Sequence, residues 1–263
     1  MEPWQIIVAL IQGLVEWLPI SSEGQAVLYI YNFATIPMSQ MLTLVVWLHL
    51  GTALAVIVRY PRTILEIISF KDQKLFRTLL IATIGTAITA IPLYLVLKET
   101  LTTFHGEIVN VLVGGLLFVT AVFLYLPTRN AENAEIEQVE EPESKQALFA
   151  GLAQGFAVLP GLSRSGITIS ALLMQKIEKE KAMAFSFLMS VPAVLGIFVL
   201  DVVIGNAPLP VAPIDLVLIE IVVFIVGLAS MEFLLRIAKK VSFWKLCILL
   251  GAIAILFGLP ALI

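Results

Sequence analysis

Gln12-Gly13-Leu14-Val15-Glu16-Trp17-Leu18-Pro19-Ile20-Ser21-Ser22-Glu23-Gly24 is matched, 142 positions further on, by Gln154-Gly155-Phe156-Ala157-Val158-Leu159-Pro160-Gly161-Leu162-Ser163-Arg164-Ser165-Gly166. Four of these thirteen positions are identical: the opening Gln-Gly, Ser21 with Ser163, and Gly24 with Gly166. Gly85 and Gly227 keep the same offset. Each copy lies between apolar arms too short to cross a bilayer. At ~1.5 Å per residue the arm from Trp4 to Leu18 reaches ~22 Å, against a hydrocarbon core of ~30 Å. Polar, glycine-bounded loops flanked by short apolar helices, placed alike in two halves of a chain, point to broken helices that meet around a buried site.

The remaining sequence places those loops in a membrane. Of 263 residues, 60% are hydrophobic and 13% charged, whereas soluble domains are roughly half apolar and a quarter charged. The predicted fold is all-α and integral to the membrane, with six transmembrane helices at about 41–59, 76–97, 108–127, 182–203, 214–236 and 243–263. Residues 4–34 and 147–178 are expected to form two re-entrant hairpins, because their arms are apolar all round. An amphipathic pair lying on the membrane is the alternative.

Polarity and charge then divide the chain into repeats. Residues 128–145 are strongly acidic, with Glu132, Glu135, Glu137, Glu140, Glu141 and Glu143, and read as a solvated cytoplasmic linker. Residues 1–127 form the first expected repeat and 146–263 the second. Each holds a hairpin followed by three spans, an odd number that inverts one half relative to the other. Lys and Arg collect in alternating connections: Arg59 to Arg77, Arg129 with Lys145, Lys176 to Lys181, and Arg236 to Lys245. The bias of these residues toward the cytoplasm predicts both termini outside. Lys98 is the exception, and Arg164 stands inside a motif. Met1-Glu2-Pro3-Trp4 has no basic region, so no cleavable leader is expected. The single Cys247 is expected to pack as an apolar residue.

Charge inside such arms is costly, at ~2.5–3.5 kcal/mol on insertion scales, and marks function by default. Gln12 and Glu16 are four apart and share a helix face. A structural ion pair is the competing reading for Glu16. Arg164 can hold phosphate oxygens through two parallel hydrogen bonds. Ser163, Ser165 and Gly166 surround it where a helix should open, an arrangement that binds anions and also serves for simple capping. Ser21 is the expected cap of the mirrored loop. Ser22 is the expected functional hydroxyl, as a phosphate ligand or a nucleophile. His49 lies mid-span and suits interhelical bonding or proton transfer. Glu232 and Arg236 read as an intrahelical pair and His105 as a solvated loop residue; the sequence explains nothing about Glu220.

The two motifs resemble the signature segments of the undecaprenyl-diphosphatase (bacitracin-resistance) family of bacteria and archaea. The likeness extends to Leu50-Gly51, Phe185-Ser186-Phe187-Leu188 and Val191-Pro192. It implies a membrane phosphatase that removes the terminal phosphate of a polyprenyl diphosphate at the outer face of the cell membrane, aided by a divalent metal, Mg2+ or Ca2+. It also implies inverted repeats with re-entrant hairpins. Carried over by position, Glu16 matches an acidic residue proposed to activate water or bind metal, Ser22 a nucleophile or phosphate ligand, and Arg164 the phosphate-binding arginine. This chain departs at Gln12, where most members have Glu, at Glu23, where a small residue is common, and at Gln25, where the family has His. Without that histidine Ser22 lacks the obvious proton acceptor; Glu16 or Glu23, with His49, is the expected replacement.

The expected partners are the polyprenyl diphosphate and the bilayer; nucleic acid is not expected, and a homodimer is left open. Two rival readings share the architecture: a lipid-carrier transporter or flippase without hydrolysis, and an ion-coupled carrier for a small anion.

Overall fold

A computed structural model of the protein describes residues 1–34, 36–101, 108–131, 141–204, 208–238 and 241–258. The described residues are helical throughout, with turns and one short 3-10 segment between helices and no strand. Linker residues 132–140, His105, Lys239, Lys240 and the last five positions of the expected final span lie outside them.

Helices α1 (Pro3–Val15) and α2 (Ser22–Phe33) form the first hairpin, and α7 (Ser144–Gly155) and α8 (Arg164–Met174) the second. Their lengths of 13, 12, 12 and 11 residues correspond to ~16–20 Å at ~1.5 Å per residue. Pro3 opens α1 where its missing N–H costs nothing. Glu2 and Glu143 start α1 and α7 with the same reciprocal box, each paired with a glutamine three residues on.

Helices α3 (Met38–Arg59), α5 (Gln73–Leu101), α6 (Ile108–Ala131), α9 (Lys179–Ile204) and α10 (Pro213–Ala238) are long. Each contains a stretch long and apolar enough to cross a membrane, five in all among the described residues. The chain is a multi-pass membrane protein. Of the sixth expected span, 243–263, residues 243–258 are described. They form the apolar helix α11 (Phe243–Gly258) of 16 residues. One helix was not foreseen: α4 (Pro61–Ile68) occupies what reads in sequence as a basic connection. It turns Ile64 and Ile67 onto the core and leaves Leu65 and Ile68 exposed, as an amphipathic helix at an interface does.

Each hairpin packs on a long helix of the other half. Helix α1 lies along α10, and α7 along α5. Val8, Ile30, Leu44, Leu48, Leu117 and Ile219 fill the core around the first hairpin. Leu79, Ala147, Ala150, Leu172, Phe185 and Met189 fill that around the second. Small residues bring the backbones close, as association in lipid requires. Behind the first loop, Trp17 Nε1 donates to the Gly227 carbonyl of α10 at 2.9 Å, and its ring meets Phe187 edge-on at 5.5 Å.

Candidate active site

The two loop tips touch, and each is held by a serine that caps the helix after it. Ser21 Oγ accepts the N–H of Gly24 at 3.1 Å, and Ser163 Oγ accepts that of Gly166 at 3.1 Å. The repeated Ser and Gly are therefore two copies of one N-cap, each satisfying an otherwise orphaned N–H. Ser21 Oγ also accepts the N–H of Gly161 at 3.1 Å, which ties one tip to the other. The approach leaves no room for a side chain, since a Cβ on Gly24 would lie 2.9 Å from the Gly161 nitrogen. Gly161 has φ +109°, a conformation only glycine adopts readily. Thr120 of α6 pins the second tip, accepting from the Ser163 N–H and donating to the Gly161 carbonyl, both at 3.0 Å.

Glu16, immediately after α1, is the hub of the cluster. One carboxylate oxygen accepts from Arg164 Nη2; the other accepts from the Ser22 hydroxyl at 2.5 Å and from Gln12 Nε2 at 2.9 Å. His49 Nε2 stands 3.6 Å from that second oxygen. The Glu16 side chain is 3% exposed. A lone charge there would be prohibitive, and the guanidinium with two further donors is what makes it tolerable. His49 Nδ1 lies 2.7 Å from the Val45 carbonyl, so that nitrogen carries hydrogen. Nε2 is then the ring nitrogen turned toward Glu16. Arg164 Nη1 donates to the Ser186 carbonyl at 3.5 Å, while its Nε is buried with no hydrogen bond. Part of the guanidinium fork is thus left to meet an acceptor the protein does not supply.

A cavity opens beside this cluster. Glu16, Ser22, Glu23, His49 and Arg164 line its polar pole; Leu42, Val46, Leu97 and Ile197 line its apolar stretch. Helices α2 and α8 begin at Ser22 and Arg164, so both positive dipole ends face this space. An amphipathic cavity with hydroxyls, a guanidinium and two helix N-termini at one pole suits an anionic headgroup on an apolar chain.

The predicted residues fall into three groups. Gln12, Glu16, Ser22, His49 and Arg164 converge directly. Ser21, Ser163 and Gly166 build the caps. Ser165 Oγ braces the loops, 3.4 Å from both the Leu18 carbonyl and Ser163 Oγ. Glu23 lines the cavity. Gln25 turns away: its Nε2 donates to the Ile20 carbonyl at 3.3 Å, where it fixes the loop and cannot serve Ser22. Glu232 pairs with Arg236 at 2.9 Å on an exposed face, as expected. Glu220 does not line the cavity, and nothing in the structure explains its buried carboxylate. Sequence reasoning gave no role to Gln154, although it is the repeat of Gln12. Gln154 Nε2 donates to Thr86 Oγ1 at 3.0 Å, and its Oε1, like that of Gln12, is buried without a hydrogen bond.

Comparison with known proteins gives a consistent result. Residues 5–255 match the family described as bacitracin resistance protein BacA. The chain is similar to proteins named undecaprenyl-diphosphatase from Methanothrix thermoacetophila, at 38% identity over 97% of this chain and 96% of that one. Similarity to the protein of the same name from Methanopyrus kandleri is 37% over 99% and 98% of the two chains. For the one from Haloarcula marismortui it is 35% over 97% and 96%.

Proposed function

We propose a function from the premise that the chain belongs to the bacitracin resistance protein BacA family: it is a membrane phosphatase that hydrolyses an undecaprenyl-type polyprenyl diphosphate to the monophosphate and inorganic phosphate, recycling the lipid carrier. The observation that carries this reading is the junction at Glu16, where Arg164 from one loop and Ser22 from the other meet on a single buried carboxylate. Such a junction places a base, a hydroxyl and a phosphate-binding cation around one point.

Phosphoryl transfer spreads negative charge over several oxygens, so catalysis is largely charge neutralisation and alignment. Arg164 and the N–H groups opening α2 and α8 hold the terminal phosphate. The attacking oxygen is that of Ser22 or of a water in its place, and Glu16 takes its proton across 2.5 Å. The bond from the terminal phosphorus to the bridging oxygen breaks, and the prenyl monophosphate leaves; attack by water yields inorganic phosphate directly, whereas after attack by Ser22 a water adds to the phosphoserine phosphorus, the bond to Ser22 Oγ breaks and inorganic phosphate departs. His49 Nε2, the ring nitrogen turned toward Glu16, is the group to which the carboxylate passes that proton on.

The same cluster has oxygens for a divalent metal. Among the described residues no three His, Cys, Asp or Glu side chains gather as a metal site. Mg2+, however, commonly takes one or two protein carboxylates and completes its shell with substrate phosphates and water. Gln12 Oε1, buried and unpartnered beside Glu16, is the kind of hard oxygen donor such an ion uses. Gln12 and Glu16 would hold it, and it would supply positive charge to the phosphate oxygens.

The proposed topology has six spans and two re-entrant hairpins in inverted repeats of residues 1–127 and 146–263, with the acidic linker in the cytoplasm. Both termini, and the mouth of the cavity, face outward. The alternation of basic connections and the opposed packing of the hairpins support it. The test is phosphate release from a polyprenyl diphosphate by the purified protein and its Glu16→Gln and Arg164→Ala variants. Release by the unmodified protein alone is expected. Movement of lipid across vesicles with no phosphate formed overturns the reading in favour of a transporter.

A further inference from the structure

Building on the diphosphatase reading, we propose that Tyr94 determines recognition of the prenyl chain: the tail leaves the cavity between α5 and α9, past a phenol ring held across that seam by Asp201. On α5 the cavity is lined by Thr86, Ala90, Tyr94 and Leu97, whose spacing of three and four makes one helix face. On α9 it is lined by Ala193, Val194 and Ile197, and Asp201 follows Ile197 by four residues on the same face. The two walls are small and aliphatic between the catalytic cluster and Tyr94, a surface matched to a methyl-branched chain.

The Tyr94 hydroxyl donates to the Asp201 carboxylate, joining a helix of the first repeat to one of the second. Tyr94 is 4% exposed and Asp201 3%. A carboxylate within an apolar span is costly to keep. Asp201 does not itself line the cavity, so its effect there is to fix where the Tyr94 ring stands. Near this pair Val96 and Val202 are exposed, at 61% and 54%, apolar surface of the kind lipid covers. Tyrosine suits the position: its ring offers a rigid apolar face to the chain while its hydroxyl is anchored.

The experiment measures KM and kcat on polyprenyl diphosphates of graded length for the unmodified protein, Tyr94→Phe and Asp201→Leu. Both variants should raise KM for the longest chain by about five- to tenfold, because without the bond that fixes the ring, binding the tail must itself order Tyr94 at the cost of about one hydrogen bond. The KM for the shortest chain accepted, and kcat throughout, should stay within about twofold of the unmodified protein, since a role in holding α5 to α9 alone would move every substrate together. Equal KM changes at all lengths, a fall in kcat, or no change overturns the proposal. An unmodified protein that releases no phosphate at any length overturns the diphosphatase reading instead. A second arm joins Tyr94→Cys and Asp201→Cys, in a Cys247→Ala background, with a cleavable thiol cross-linker. Closing the seam should stop turnover of the longest chain, spare the shortest, and be reversed by cleavage. Undiminished turnover of the longest chain while cross-linked places the exit elsewhere.

Discussion

Arg164, at the first position of α8, donates to Glu16, 148 residues earlier and in the opposite loop. This pair is both the catalytic centre proposed above and the electrostatic joint between the two hairpins. Its two roles make opposite demands on a mutation. Arg164→Ala should lower phosphate release by about 10²–10³-fold, the usual effect of removing one donor to a developing oxyanion. It should also destabilise the protein by about 3–5 kcal/mol, because it strands a buried carboxylate. Glu16→Gln/Arg164→Gln removes both charges and should be more stable than Arg164→Ala while remaining inactive. Thermal unfolding in detergent, run beside the phosphate assay, checks this. A double variant no more stable than Arg164→Ala would show that the pair is not a joint.

Ser21 and Ser22 are adjacent but separable. Ser21 Oγ is occupied by two backbone N–H groups, from Gly24 and Gly161. Ser22 donates to Glu16. Ser21→Ala should cost about 1–2 kcal/mol as a lost cap and keep most of its kcat. Ser22→Ala should cost about 1–3 kcal/mol, because it takes a donor from a buried carboxylate, and lower kcat by about 10²–10⁴-fold, the range of lost acid–base and positioning effects. Turnover is what separates the two variants; a Ser22→Ala protein with ordinary turnover would assign the attack to water alone.

Much of this arrangement could be read from the residues, and what could not was tertiary. The offset between Ser21 and Ser163 exposes the repeated cap because capping is local, spanning three residues. Glu16 and Arg164 stand out because a charge in an apolar arm needs a reason. Their pairing is not in the sequence, since no local spacing links positions 148 apart. The histidine missing at Gln25 left Glu16 or Glu23, with His49 in support, as the expected base. Only the folded positions rank them, with Glu16 on Ser22, His49 behind Glu16, and Glu23 on the cavity wall. Asp201 followed the same rule as Glu16, a carboxylate in an apolar span, and was overlooked because it carried no motif. Helix α4 was missed for the reason that eight residues are too few for a periodic pattern to show against neighbouring basic residues.

Gln12 gives a handle on the metal. Its Nε2 is used by Glu16 while its Oε1 is buried and unpartnered. If that oxygen is a metal donor, Gln12→Leu should raise the Mg2+ or Ca2+ concentration for half-maximal phosphate release by about 10- to 100-fold, as loss of a supporting ligand does. The maximal rate at saturating metal should fall much less. Chelation should abolish turnover of the unmodified protein, and added metal should restore it. Full turnover after exhaustive chelation would leave Arg164 and the two helix N-termini as the whole of the positive field.

Two glycines on different helices test how closely the second hairpin is fitted. Gly151 of α7 faces α5 so tightly that a Cβ would lie 2.1 Å from the Ala82 carbonyl oxygen. That atom is helix backbone and cannot step aside, so Gly151→Ala must push α7 away from α5. Because α7 leads into the loop that carries Arg164, the displacement should reach the site. Gly196 of α9 has nothing within 4 Å of its Cβ position. Alanine there removes backbone freedom from the unfolded chain and should be neutral or stabilising by about 0.4–1 kcal/mol. Gly151→Ala should therefore unfold at a lower temperature, by more than about 1 kcal/mol in stability as overpacking typically costs, and lose most of its phosphate release. Gly196→Ala should match the unmodified protein in both measurements. Equal behaviour of the two variants would mean that α5 and α7 do not meet as closely as the packing around Ala82 requires.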